Sequence, residues 1–264
     1  MQLRVEAYRA QEFLFSRQGK VIQHEDCHAV ISPGDPHWFW GSFMIMDRLP
    51  QKGSTKQWEA MWESEYNIFP EIRHKSFCLN YTDGSEGDLS EFHQAGYEVY
   101  HSLTMMAEKP PQKSSAPEGI ILREILSDED WKKVTDLQEF IDREKYHGGS
   151  GDYKKTQIEN FRILHEAGGG NWFGAFRNEI LVADMGLFDG GKGTALIVFV
   201  ETHPQWRRLG ICTALTTFVL NRAFDDGYQR AFLVAMKDHE AVSIYQSCGM
   251  KIIEHTTELC LPPR

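Results

Sequence analysis

The sequence predicts an α/β fold, a mixed central sheet flanked by helices, and three observations carry that reading. Residues 119–264 alternate apolar runs of strand length with longer segments of helical periodicity. At their centre Ala195, Leu196, Ile197, Val198, Phe199 and Val200 form a continuous apolar run, the mark of a strand buried on both faces. The next helical stretch carries Leu215, Phe218, Val219, Arg222 and Ala223 on one face and leads into another apolar strand, completing a strand-helix-strand unit.

The elements follow in order. A strand is expected over 119–125, then a helix over 128–146 with Trp131, Val134, Leu137 and Ile141 at near-helical spacing. His147, Gly148, Gly149, Ser150, Gly151 and Asp152 read as a loop, and residues 156–167 as a second helix closed by three glycines. Strands over 171–177 and 180–188 meet at a turn at Asn178 and Glu179. After the central strand come a helix (210–225), a strand (230–236), a helix (239–248) and a last strand (251–259). In the N-terminal part, strands are expected at 12–16, 21–24, 29–32, 40–46, 77–81 and 97–105, and helices at 54–66 and 89–95. Between the two parts, residues 108–118 hold three prolines, two serines and no large apolar side chain, the composition of an extended linker. The expected division is therefore 1–108, a linker at 109–118, and 119–264.

The two parts end alike. Phe92 stands four residues before Gly96 and Tyr245 four before Gly249, and each glycine precedes an alternating strand. Both glycines sit where a helix ends in the left-handed region. An internal duplication produces this pattern, and so does any helix-Gly-strand junction. If duplication is the origin, the N-terminal copy is truncated, lacking the opening strand and both first helices.

Composition excludes several classes. A formal net charge of -10 disfavours nucleic-acid binding, which needs clustered Lys and Arg. No apolar run reaches the roughly 20 residues of a membrane span. The first residues lack the apolar core of a signal peptide, and five scattered cysteines without a CxxC pair read as reduced thiols, so a cytoplasmic protein is expected.

The chemistry concentrates after the central strand. Glu201, Thr202, His203, Pro204, Gln205 and Trp206 form a short polar connection, followed by Arg207, Arg208, Leu209, Gly210, Ile211, Cys212 and Thr213 at the start of a helix. Free backbone N–H groups and the helix dipole favour an anion there, Gly210 permits close approach, and the two arginines add charge. An ordinary connection with two solvated arginines would read the same way.

This stretch resembles the signature of the GNAT superfamily of N-acetyltransferases, an Arg/Gln-x-x-Gly-x-Gly/Ala element, with Arg207, Gly210 and Cys212 at its three defined positions, Cys212 departing from the usual Gly or Ala but small. Downstream, Asp238, Ala241, Tyr245, Gly249 and Met250 resemble the family's Asn-x-x-Ala-x-x-x-Tyr followed by Gly-Phe, with Asp238 and Met250 as departures. The resemblance covers nearly all of 119–264. In the first part it rests on element order, so that part reads as a degenerate GNAT-like domain of a tandem protein.

The resemblance implies acetyl transfer from acetyl-coenzyme A to a primary amine, of a small molecule or a peptide, by direct attack in a ternary complex. Phe199 and Val200 would line the pantetheine arm, and residues 207–213, with Asp238, would hold the cofactor. Tyr245 matches the family's general acid; Ala241, Ile244, Tyr245 and Cys248 share one helix face, where a packed aromatic is the alternative. Glu201 and His203 are the two candidate bases, Asp184 a third. The first part has no Arg-x-x-Gly element and has Phe92 at the tyrosine's place, so it is expected to bind no coenzyme A. The rival is a non-catalytic coenzyme A-binding or interaction module. A monomer or homodimer is expected.

Three other signals are set aside. Gly186 to Gly193 nearly matches a nucleotide P-loop but lacks the following Ser/Thr and helix. His24, Cys27 and His28 have no second pair at ligand spacing, so no metal is expected. The aromatic run His37, Trp38, Phe39, Trp40 fits core packing better than a partner surface.

Overall fold

The structure is a computed structural model and describes residues 1–112, 115–146 and 152–263. The loop expected at 147–152 lies, but for its last residue, outside the described residues. In chain order the elements are α1 (Glu6–Phe15), β1 (Lys20–Gln23), β2 (Cys27–Ile31), β3 (Phe43–Met46), α2 (Ser54–Tyr66), β4 (Lys75–Leu79), α3 (Ser90–Ala95), β5 (Glu98–Ala107), β6 (Ile121–Glu124), α4 (Asp128–Tyr146), α5 (Asp152–Glu166), β7 (Gly170–Arg177), β8 (Ile180–Asp189), β9 (Thr194–Thr202), α6 (Ile211–Asp225), β10 (Arg230–Met236), α7 (Ala241–Ser247) and β11 (Lys251–Leu261).

These elements pack as two compact units. The first is Met1–Thr104 with Val234–Asp238 and Ile252–Arg264; the second is Met105–Leu233 with His239–Lys251. Each unit contains a three-stranded antiparallel meander followed by a helix and a parallel strand. In the first, β1-β2-β3 leads through α2 to β4; in the second, β7-β8-β9 leads through α6 to β10. This repetition is the tandem α/β arrangement expected from the sequence.

Two expectations need correction. Residues 12–15, expected in a strand, close helix α1, whose Ala7, Tyr8, Ala10, Leu14 and Phe15 are buried at helical spacing. Phe13, Leu14 and Phe15 are compatible with either period when read in isolation. Helix α1 stands before β1 as α5 stands before β7. A single cut near residue 119 is the second correction. Strand β11 pairs antiparallel with β4, and most of it packs in the first unit. An alternating strand shows which face is apolar but does not name its partner.

The first unit's core is aromatic. Phe77 and Phe92 are fully buried and lie within ring contact of Trp58 and Tyr97, and Trp62 packs on Phe77. Truncating such a ring leaves a cavity that neighbours only partly refill, so Phe77→Ala is expected to cost about 3–5 kcal/mol of unfolding free energy, measured by denaturant titration. The same unit buries a carboxyl group. Glu258 accepts hydrogen bonds from Tyr8 Oη (2.9 Å), Ser102 Oγ (2.9 Å) and Thr256 Oγ1 (2.5 Å). Burial raises its pKa above the ordinary carboxyl range, and the hydroxyl donors offset this only in part. A raised folded-state pKa contributes stability at low pH that is lost as pH rises through it. Glu258→Gln, which carries no charge, is therefore expected to flatten that decline, so its stability relative to the parent grows with pH in melts between pH 4 and 8.

In the second unit, successive residues of β7 point to opposite faces. Trp172 meets Trp131 of α4 and Phe161 of α5, whereas Phe173 meets Phe218 of α6. Helices α4 and α5 thus cover one face and α6 the other.

Candidate active site

Strand β9 starts in register and then departs from it. Thr194, Ala195 and Leu196 pair in parallel with Arg230, Ala231 and Phe232, and the pairing stops there. Against β8 the register shifts: Gly186 faces Val198 and Asp184 faces Glu201, so Phe199 and Val200 together oppose Met185. Phe199 takes φ +53° at this bulge.

After β9 the chain makes a 3-10 turn at Pro204–Trp206, capped by His203 Nδ1, which accepts from Gln205 N at 3.3 Å. Arg207 Nε donates to Thr202 O (3.0 Å), tying the loop to the strand end. Arg208 at φ +62° and Gly210 at φ +76° then turn the chain into α6, which has no side-chain cap. Among the described residues, none of the backbone N–H groups of Arg208, Leu209, Gly210, Ile211, Cys212 and Thr213 has an acceptor; the first helical bond runs from Ala214 N to Gly210 O. Unpaired N–H groups at a helix start with no acidic cap form an anion cradle. The Arg208 side chain is exposed and pairs with Glu240 Oε2 at 2.8 Å.

Helix α7 packs on α6, and Cys248 Sγ meets Thr213 O and Thr217 Oγ1, each at 3.6 Å. Tyr245 is 5% exposed, and its hydroxyl has no hydrogen-bond partner among the described residues. Burial raises its pKa, and the charges of Cys212, Glu201 and Cys248 add to the rise. The phenol therefore keeps its proton throughout the ordinary pH range.

A strand ending in a bulge, an uncapped helix start and a tyrosine on the next helix share this unit, and the model of the acetyltransferase (GNAT) family matches residues 131–250. Residues 131–250 form a GNAT-family domain. No curated protein matches the sequence. Among solved structures, a GCN5-related N-acetyltransferase from Kribbella flavida is similar over 100% of this chain and 98% of its own, at 15% identity and a TM-score of 0.68. A functionally unknown conserved protein from Staphylococcus epidermidis covers 93% of this chain and 95% of its own at 12% identity and a TM-score of 0.72. A tandem GNAT protein from the clavulanic acid biosynthesis pathway covers 89% of this chain and 78% of its own at 13% identity and a TM-score of 0.56. At such identities these three speak for the fold.

Within the GNAT domain, Glu201 is half-buried at the end of β9 and faces Asp184 in register. The His203 ring stacks on Phe140 (4.7 Å between centroids, 7° between planes). Asp184 has no exposed surface; its oxygens accept from Trp172 Nε1 and Gln138 Nε2, both at 3.0 Å. Burial raises its pKa. It is enclosed beside β9, held by these two donors. Asp238 is exposed and packs with the first unit. Two groups of the bulge were missed by the sequence reading, Gln138 and Trp172. A signal existed for the first: Gln138 lies four residues after Val134 and three before Ile141, a polar side chain on an apolar helix face.

The first unit has a helix start of the same kind with a carboxylate beside it. Helix α2 also begins after a left-handed glycine, Gly53 at φ +88°, but its N–H already donates to Glu91 Oε2 at 2.9 Å. Phe92 is fully buried in the aromatic core. Gly190 and Gly191 close the turn between β8 and β9, where Gly190 N donates to Thr194 O. His24 and His28 face the carboxylates of Glu65 and Glu12. Among the described residues no group of three or more His, Cys, Asp or Glu side chains is arranged to hold a metal ion, and no helix is long and apolar enough to cross a membrane.

Proposed function

We propose that the GNAT domain transfers acetyl from acetyl-coenzyme A to a primary amine, of a small molecule or a peptide, by direct attack in a ternary complex. One observation carries this reading: six backbone N–H groups open α6 without acceptors among the described residues, in the unit where Tyr245 keeps its proton and its hydroxyl has no partner among them. The donor set suits a pyrophosphate, because charge-assisted bonds to backbone N–H groups are strong and α6 has no acidic cap to compete. Phe199 and Val200 would line the pantetheine arm, and Arg207 to Thr213 would hold the phosphates. Glu201 takes the proton of the incoming amine, directly or through water, which frees the nitrogen lone pair. The nitrogen forms its bond to the acetyl carbon as the C–S bond breaks, and Tyr245 protonates the leaving thiolate. The first unit binds no coenzyme A, since Glu91 already satisfies the N–H of Gly53 and Phe92 has no proton to give.

The test is thiol release from acetyl-coenzyme A with a panel of amines, beside calorimetric titration of the cofactor. Amine-dependent thiol release and one bound cofactor per chain are expected. Binding without thiol release for any amine would convert the domain to a non-catalytic coenzyme A-binding module. No binding at all would remove both readings.

A further inference from the structure

The bulge in β9 is held by groups that the acetyl-transfer reading leaves unused. Phe199 adopts a left-handed φ of +53°, a conformation that a residue with a side chain keeps only where its surroundings over-determine it. Its surroundings do so on both backbone and ring. Gln138 Nε2, from α4, donates to Phe199 O (3.3 Å) and to Asp184 Oδ1 (3.0 Å). Asp184 Oδ2 accepts from Trp172 Nε1. The Trp172 indole stacks on the Phe199 ring (5.8 Å between centroids, 17° between planes), Phe161 meets that ring edge-on at 5.0 Å, and Lys154 Nζ lies 4.8 Å from its centroid. Gln138 is 1% exposed and Asp184 is fully buried, so neither is a solvated surface contact.

The bond to Phe199 O has a geometric consequence. Among the described residues no peptide is cis, and a trans peptide points its C=O and N–H in opposite directions. Drawing the Phe199 carbonyl toward Gln138 turns the Val200 N–H away from α4. Val200 shares the bulge and has no register partner of its own on β8.

We infer that Gln138, oriented by Asp184, is a positioning residue of the acetyl-transfer site: it fixes the Phe199–Val200 peptide so that the Val200 N–H is presented to the acyl group. This rests on the acetyl-transfer reading above. A side chain that merely satisfied Asp184 in the core would affect stability alone. One that sets a donor at the reacting carbonyl acts on turnover more than on binding.

The experiment compares the parent with Gln138→Leu and Gln138→Glu in thiol release, with kcat and the KM for acetyl-coenzyme A measured from pH 5 to 9. For Gln138→Leu, kcat is expected to fall about 10²-fold with KM within about threefold, the scale of losing one oriented donor. Gln138→Glu faces two acceptors and can donate only when protonated. Its activity is expected to approach the parent's at low pH and to fall as pH rises, a limb the parent lacks. If Gln138→Leu fails to fold, the Gln138→Glu profile decides alone. A parent-like kcat in Gln138→Leu, or parallel pH profiles for Gln138→Glu and the parent, overturns the inference while acetyl transfer stands. If the parent binds acetyl-coenzyme A but turns over no amine, the readout is the Val200 amide resonance on adding acetyl-coenzyme A. It is expected to shift in the parent and not in Gln138→Leu; equal shifts overturn the inference. A parent that neither binds nor turns over removes both readings.

Discussion

Tyr245→Phe is expected to lower kcat by about 10²–10⁴-fold, the usual contribution of a positioned proton donor, while leaving the affinity for acetyl-coenzyme A unchanged. The substitution keeps the ring, which is what α7 buries, and removes only a hydroxyl with no hydrogen-bond partner among the described residues. Packing and stability should therefore hardly move. The pH dependence sharpens the test. Burial and the charges of Cys212, Glu201 and Cys248 raise the phenol's pKa, so it stays protonated beyond its ordinary value of about 10. Wild-type activity should accordingly show no alkaline loss through Tyr245 below that value, and the variant should be depressed evenly across the profile. The measurements are steady-state thiol release and calorimetry on both proteins. Unchanged kcat in Tyr245→Phe would leave the residue a packed aromatic.

Gly210→Val is expected to weaken acetyl-coenzyme A binding by about 10²-fold or more. Two costs combine. Gly210 has φ +76°, a left-handed conformation that costs a residue with a side chain about 1–2 kcal/mol, more when it is β-branched. A Cβ there would meet only Pro117 Cγ at 3.9 Å, so the protein itself offers it room. The larger cost is to binding: the valine would stand among six open N–H groups, and charged hydrogen bonds lost there are worth about 1.5–3 kcal/mol each. Titration calorimetry and a denaturation curve separate the two. Stability should fall by about the backbone cost, and affinity by far more. Wild-type affinity in Gly210→Val would mean the phosphates lie elsewhere.

Much of the candidate site is local and so was legible in the chain. Gly210, Arg207 and the helix start at Ile211 lie within five residues, and Tyr245 declares its face through Ala241, Ile244 and Cys248. The two candidate bases looked equal in sequence, and the fold gives them different surroundings. His203 is engaged by Phe140 and Gln205, a contact 63 positions away and one only two away, and neither has a motif. Asp184 sits on a strand of buried residues, where alternation cannot distinguish a catalytic acid from a frame. Its partners Gln138 and Trp172 lie on other elements.

The sequence by itself determined the alternation of strands and helices, the strand-helix-strand unit around β9 and α6, and the matching helix ends at Gly96 and Gly249. Periodicity, glycine conformation and short motifs are properties of neighbouring residues, and they survive without a fold. Tertiary structure decided the rest. It made residues 12–15 part of a helix, paired β11 with β4, and bent β9 at Phe199. It also placed Glu91 on the N–H of Gly53 at the start of α2 and no carboxylate at the start of α6. Each of these depends on which distant group arrives to satisfy a backbone or side-chain polar atom. Hydrogen-bond partners far apart in sequence are chosen by packing, and no local pattern names them.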